Sequence, residues 1–179
     1  MDASYSGFGV SAGVVASPST KVRLGGSFRV DGRLDRKVGN QEVGQIDLPV
    51  TLAGGAEFRP SPVLRVAGTG IWRSWSSAAA DLSAAGTHAF NTFDLGVGVE
   101  MGGAPGGPKL PLRLGARYAT LPFSPSTDQP TELALSAGTG IRLSSGRAQF
   151  DFSVERVMRD GAGAAERAWQ LTVGFHVRP

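Results

Sequence analysis

The sequence predicts an all-β fold, an antiparallel up-and-down transmembrane β-barrel, and three observations predict it. Apolar and polar residues alternate along most of the chain. The alternating segments run about ten to fourteen residues, near the ~9–11 that cross a bilayer at a tilt. Soluble strands average only ~5–6. Links between segments alternate short and long, and aromatic residues gather toward segment ends.

Alternation with period two marks a strand with two unlike faces. In Lys21–Asp31, Val22, Leu24, Gly26, Phe28 and Val30 share one face, opposite Lys21, Arg23, Ser27, Arg29 and Asp31. In Ile46–Phe58 the apolar face is Ile46, Leu48, Val50 and Leu52, opposite Asp47, Thr51 and Glu57. Thr92–Met101 sets Phe93, Leu95, Val97, Val99 and Met101 against Asp94, Gly96, Gly98 and Glu100. Leu110–Tyr118 sets Leu110, Leu112, Leu114 and Tyr118 against Arg113, Gly115 and Arg117.

The pattern holds toward the C-terminus. Leu133, Leu135, Ala137, Ile141 and Leu143 oppose Glu132, Ser136, Gly140 and Arg142. Phe150, Phe152 and Val154 oppose Gln149, Asp151, Ser153 and Glu155. Trp169, Leu171, Val173, Phe175 and Val177 oppose Gln170, Thr172, Gly174 and His176. Two weaker strands, about Tyr5–Ala16 and Val63–Trp75, bring the expected number to about nine.

A soluble sandwich with one wet face alternates too, so links and aromatics must discriminate. Short links at Ser17–Thr20, Arg59–Pro62, Gly102–Lys109 and Ser144–Arg147 alternate with long ones. The long ones are about Gly32–Gln45, Ser76–Asn91, Leu121–Thr131 and Arg159–Arg167. Short periplasmic turns opposite long external loops are the outer-membrane pattern. On that orientation Trp72, Trp75, Phe93, Tyr118 and Trp169 fall near outer strand ends, and Phe58, Phe150 and Phe175 near inner ones. Two aromatic girdles at the membrane interfaces follow. Asp94, Glu100, Arg113, Arg117, Arg142, Asp151 and Glu155 are the candidates to face the lumen.

Nine strands ending on the short-turn side would place the first residue outside, whereas exported barrels start in the periplasm with an even count. The expectation is therefore a single β-barrel segment over residues 1–179, with upstream strands and a signal peptide belonging before it. The fallback is that Tyr5–Ala16 is no strand and the remaining eight close alone.

Composition narrows the function. The chain has 179 residues, 41% of them apolar, and no run of eighteen that would form a transmembrane helix. With no Cys, disulfides and thiolate metal sites drop out. A net charge of +3 is spread along the strands and forms no clustered patch for nucleic acid. His88 and His176 are isolated, so no metal is expected. Gly7 through Gly13 misses the dinucleotide spacing by one residue, and barrel glycine is the better reading. Neither a cofactor nor a catalytic group is expected. Asp151 and Glu155 share a strand face and would permit acid–base work, with solvated lumen charges the preferred reading.

Several short stretches together resemble the C-terminal portion of FadL/TodX-type outer-membrane transporters of long-chain fatty acids and aromatic hydrocarbons. They include Leu48-Pro49, Gly55 through Arg59-Pro60, Trp75-Ser76, Phe93-Asp94, Gly96 through Glu100 and Leu112 through Tyr118. Leu121-Pro122, Gly138 through Leu143 and Phe150-Asp151 continue the series. The resemblance implies a fourteen-stranded barrel plugged by an N-terminal hatch, of which these would be the sixth to fourteenth strands. It implies residence in the bacterial outer membrane, passage of a hydrophobic small molecule, contact with outer-membrane lipid and insertion by the barrel-assembly machinery. The rival readings are a structural or adhesion barrel that transports nothing, and an outer-membrane hydrolase.

Overall fold

The computed structural model describes residues 3–39, 41–80, 86–102, 110–143 and 148–177. Among them the strands in chain order are β1 (Ala3–Ser6), β2 (Gly9–Ser19), β3 (Val22–Asp31), β4 (Arg33–Val38) and β5 (Gln41–Asp47). Then come β6 (Thr51–Ser61), β7 (Leu64–Arg73), β8 (His88–Ala89), β9 (Thr92–Met101) and β10 (Leu112–Thr120). The last are β11 (Phe123–Ser124), β12 (Thr131–Leu143), β13 (Ala148–Gly161) and β14 (Ala164–Val177). No described helix is long and apolar enough to cross a membrane, which says nothing about strands.

Nine of these strands form one antiparallel sheet in the order β2-β3-β6-β7-β9-β10-β12-β13-β14. Each neighbour along the sheet is also the next long strand along the chain, so the topology is up-and-down. The sheet is open: β2 and β14 each pair on one side and not with one another. The eight-strand fallback is overturned, because Gly9–Ser19 pairs with β3 from Gly9↔Asp31 to Ser19↔Val22.

Proline marks where the ladder breaks. Registers shift between Ala16 and Ser19 and between Phe58 and Ser61. Each interval holds a proline, Pro18 or Pro60, which has no N–H to give the ladder. Pro49 does the same between β5 and β6, so the expected strand Ile46–Phe58 is two strands. Ser74 restores the pairing there, its Oγ accepting from the Val50 N–H at 2.9 Å while its own N–H donates to Val50 O at 3.0 Å.

The long links are more ordered than their composition suggests. Gly32–Gln45 is mostly the hairpin β4–β5, which β1 extends into a three-stranded sheet. The β7–β9 link carries a 3-10 turn over Trp75–Ala78 and then β8, which pairs with β11 of the β10–β12 link. The expected long loop Arg159–Arg167 does not exist. Strands β13 and β14 stay paired to Gly161↔Ala164 and turn through Ala162 and Gly163 alone. Both have positive φ, +54° and +78°, the primed turn whose twist matches that of its strands. The charged residues that read as loop are cross-strand partners, with Arg159 facing Glu166.

Burial runs opposite to that of a soluble sheet. Along β6, Leu52, Gly54, Ala56 and Phe58 are exposed while Thr51, Ala53, Gly55 and Glu57 are half-buried. Along β9, Phe93, Leu95 and Val97 are 51%, 53% and 54% exposed, with Asp94, Gly96 and Gly98 sheltered between them. The apolar residues that are buried among those described are Ala78, Ala119 and Ala134. No described Leu, Ile, Val or Phe is buried, so the wall has no apolar core of the usual kind.

Candidate functional site

The polar face gathers its charges because cross-strand neighbours at odd-numbered positions on one strand meet like-faced positions on the next. Two belts result. In the belt near the short turns, Glu57 meets Arg59 at 2.7 Å and Arg65 at 3.5 Å, and Arg65 meets Glu100 at 3.0 Å. Arg113 then donates through Nε to Glu100 and through Nη1 to Asp151, both at 2.6 Å. Asp151 also accepts from Gln149 Nε2 at 2.8 Å and faces His176 Nε2 at 3.6 Å.

Arg113 reaches Asp151 across a whole strand. Between β10 and β13 lies β12, two ladder spacings that amount to ~9.5 Å. The side chains would collide there if β12 carried any: Gly138 pairs with Arg113 and Gly140 with Asp151. A Cβ on Gly140 would stand 2.4 Å from Asp151 Oδ1. Glycine at 140 is therefore the space into which the carboxylate leans.

The second belt lies nearer the long links. Arg117 meets Asp94 at 3.6 Å and also pairs with Glu132, which takes Arg159 Nη2 on its other oxygen at 2.6 Å. Arg159 extends the belt to Glu166 at 3.1 Å. Glu132 is 6% exposed, so the two arginines supply nearly all the solvation its charge has lost. Asp94 and Glu100 stand six residues apart on β9, which separates the belts by ~20 Å.

Between the belts the polar face is lined by small groups. A recess of about 480 Å³ lies among Gly115, Ser136, Gly138, Ser153 and Thr172, with Arg113, Asp151 and His176 at one end. Glu155 also lines it, opposite Ser136 and Gln170 in the register. Asp151 and Glu155 are four positions apart, ~13 Å along a strand. Asp151 is committed to Arg113 and Gln149. The side chain of Arg142 lies outside the described residues, as does the link Ser144–Arg147.

The apolar face carries a trough of about 720 Å³. Gly26, Gly54 and Gly70 lie in one cross-strand row and form its floor, while Phe28, Leu52, Trp72, Phe93 and Leu95 rise around it. It is an open depression with almost no polar lining.

Aromatic side chains follow an oblique line across the strands. Trp72 pairs with Phe93 and sits beside Leu52. The hydrogen-bonded row through Phe93 passes Thr120, Thr131 and Asp160 and ends at Ala165. Tyr118 lies two residues below that row, and Trp169 lies four below it. The row through Phe58 ends at Leu171 by way of Val66, Val99, Leu114, Ala137 and Val154. Phe175, paired with Phe150, lies four residues beyond Leu171. Each line descends by four residues, ~13 Å, the first from β7 to β14 and the second from β6 to β14. A common stagger is what tilted barrel strands require of residues held at one height.

Trp75 does not belong to the wall. It sits in the 3-10 turn, its ring edge-on to Phe123 at 5.0 Å, in a cap built from two long links. Ala78 and Ser124 are buried there, Phe90 N–H donates to Pro122 O at 2.9 Å, and Gln129 Nε2 donates to Asn91 O at 2.8 Å. The expected strand Val63–Trp75 ends at Arg73, so Trp72 stays on the sheet while Trp75, expected in the same girdle, lies in the turn beyond it.

Sequence reasoning set Glu57 and Glu132 on polar faces without naming them lumen candidates, and it passed over Arg65 and Arg159, which period two places there too. It also passed over Arg156, which continues the apolar series Phe150, Phe152 and Val154. Among the described residues no three His, Cys, Asp or Glu side chains come together as metal ligands. Comparison of the chain with family models, curated proteins and solved structures finds no match.

Proposed function

We propose that the nine-stranded sheet is part of the wall of a bacterial outer-membrane β-barrel that passes hydrophobic small molecules such as fatty acids or aromatic hydrocarbons. The observation that carries the membrane reading is the inverted burial: apolar faces exposed, polar faces sheltered and cross-linked by ion pairs. Water would penalise such a wall heavily. Fully burying a Leu, Val or Phe is worth ~1.5–3 kcal/mol. Phe93, Leu95, Val97 and Met101 are about half exposed, so β9 alone forfeits a few kcal/mol in water. Over nine strands that exceeds the ~5–15 kcal/mol of a typical domain. Lipid removes the penalty.

Open edges argue for further strands. In hydrocarbon each unpaired N–H or C=O costs several kcal/mol, and β2 and β14 each present a free side. Additional strands that close the ring satisfy them, and the resemblance to the fatty-acid transporters supplies their number. Transport itself rests on that resemblance. The reading as a structural barrel draws on the ion belts, which brace the polar face as fixed struts.

The test is uptake of a fluorescent long-chain fatty acid by cells lacking their own channel. Saturable uptake is expected when the chain is made with the strands that close it, and none when it is made alone. A closed barrel that inserts but carries nothing would leave the wall standing and sink transport.

A further inference from the structure

Arginines of the sheet mostly turn to the polar face, with Arg156 and Arg167 on the other side by register. Arg65, Arg113, Arg117 and Arg159 turn to the polar face, and each meets a carboxylate. Arg156 turns the other way. It lies opposite Trp169 on β14 and Leu135 on β12, both exposed on the apolar face at 69% and 48%. Among the described residues no carboxylate comes within 4.0 Å of it. Its neighbour toward the turn, Arg167, is already tied to Asp160 Oδ1 at 3.1 Å and to the Glu166 carbonyl at 2.9 Å. On this largely apolar side Arg156 is a cation without a carboxylate partner among the described residues, next to the Arg167–Asp160 pair.

Its height and its contact give that cation a use. Trp169 belongs to the oblique aromatic line on the long-link side, so the guanidinium sits at an interface, where the cost of arginine is least. Its Cζ lies 5.1 Å from the Trp169 ring centroid. Stacking of this kind covers a face of the planar group and leaves its N–H edge free. A free fork of that geometry takes two oxygens of a phosphate.

We infer that Arg156 and Trp169 form a lipid site on the outer surface of the wall, taking the phosphate headgroup of a membrane lipid at the long-link interface. The inference rests on the proposal that this face meets lipid. Leu135 and Leu171, flanking the pair, offer the first acyl contacts below the headgroup. Charge complementarity selects an anionic lipid over a zwitterionic one, in which an ammonium group competes for the same phosphate.

The test uses Trp169 as its own reporter. In the full chain with Trp72→Phe and Trp75→Phe it is the one remaining indole of three. The protein is refolded into phosphatidylcholine vesicles doped with brominated phosphatidylcholine or, at the same mole fraction, brominated phosphatidic acid. Quenching by the acid should exceed that by the choline lipid with an apparent preference of about fivefold. Arg156→Gln should abolish the preference while leaving choline-lipid quenching intact, and Arg156→Lys should keep part of it. Equal quenching by the two lipids would overturn the site and leave the membrane reading standing. No quenching by either would overturn the membrane reading and the site with it. A preference that survives in Arg156→Gln, or that inorganic phosphate in the buffer removes, would also overturn the assignment.

Discussion

In the cap, side chains pack as in any soluble protein: Ala78 and Ser124 are buried, and the Trp75 ring rests edge-on against Phe123. On the long strands next to it, Leu95, Val97 and Leu114 are about half exposed, and the sheltered positions belong to Asp94, Glu100 and Arg113. The cap has a two-stranded antiparallel sheet of its own and the wall a nine-stranded one, so the kind of backbone pairing does not separate them. The surroundings do. Where water is the solvent, apolar groups turn toward one another; along the wall they turn away from the sheet, as they would where hydrocarbon waits outside.

That contrast is broken most sharply by a charge on the wrong side. Val97→Arg on the apolar face should cost about 2–4 kcal/mol in a folding titration into vesicles. Gly98→Arg, one residue away on the polar face, should cost distinctly less. Equal costs would erase the distinction between faces.

Next comes the belt near the long links, where Glu132 holds Arg117 and Arg159 together. Glu132→Gln leaves two guanidinium groups facing an amide and should destabilise by about 2–3 kcal/mol. The same change at Glu166, whose side chain is 65% exposed, should cost under about 1 kcal/mol.

A smaller loss is expected at Gly140. Gly140→Ala pushes a methyl against Asp151 and should loosen the strut to Arg113 by about 1–2 kcal/mol. In an Asp151→Ala background, which removes the oxygen the methyl would meet, Gly140→Ala should cost far less, and that non-additivity in a double-mutant cycle would show that the two positions act together. Smallest is the cap pair: Phe123→Leu removes an edge-on aromatic contact worth about 0.5–1.5 kcal/mol. It should leave insertion into vesicles unchanged, because the cap lies outside the wall.

Much of the wall was legible because a strand's period is two and needs no knowledge of its partner. The faces of β9, β10 and β14 read straight off Phe93–Met101, Leu112–Tyr118 and Trp169–Val177. What the period hides is where a strand ends. Arg159, Asp160, Glu166 and Arg167 carry loop-like composition, yet Ala162 and Gly163 adopt the primed turn and let those residues pair across strands. Trp75 read as a strand aromatic because local spacing says nothing of the Ser74–Val50 exchange that closes the ladder. The belts were half visible. Each charged residue could be assigned a face, but the partnership of Arg113 with Asp151 depends on β12 lying between them with glycine at 140.

The central claim is that the apolar face of the wall meets lipid and the polar face meets water. The chain has no cysteine, so single cysteines at Val97 and Gly98 can each carry an environment-sensitive fluorophore without competition. With the protein in vesicles, a nitroxide lipid should quench the probe at 97 and spare that at 98, while aqueous iodide should do the reverse. Failure of the nitroxide lipid to quench the probe at 97, with iodide still reaching 98, would contradict the account, since that is how a soluble sandwich packed on its apolar face would respond.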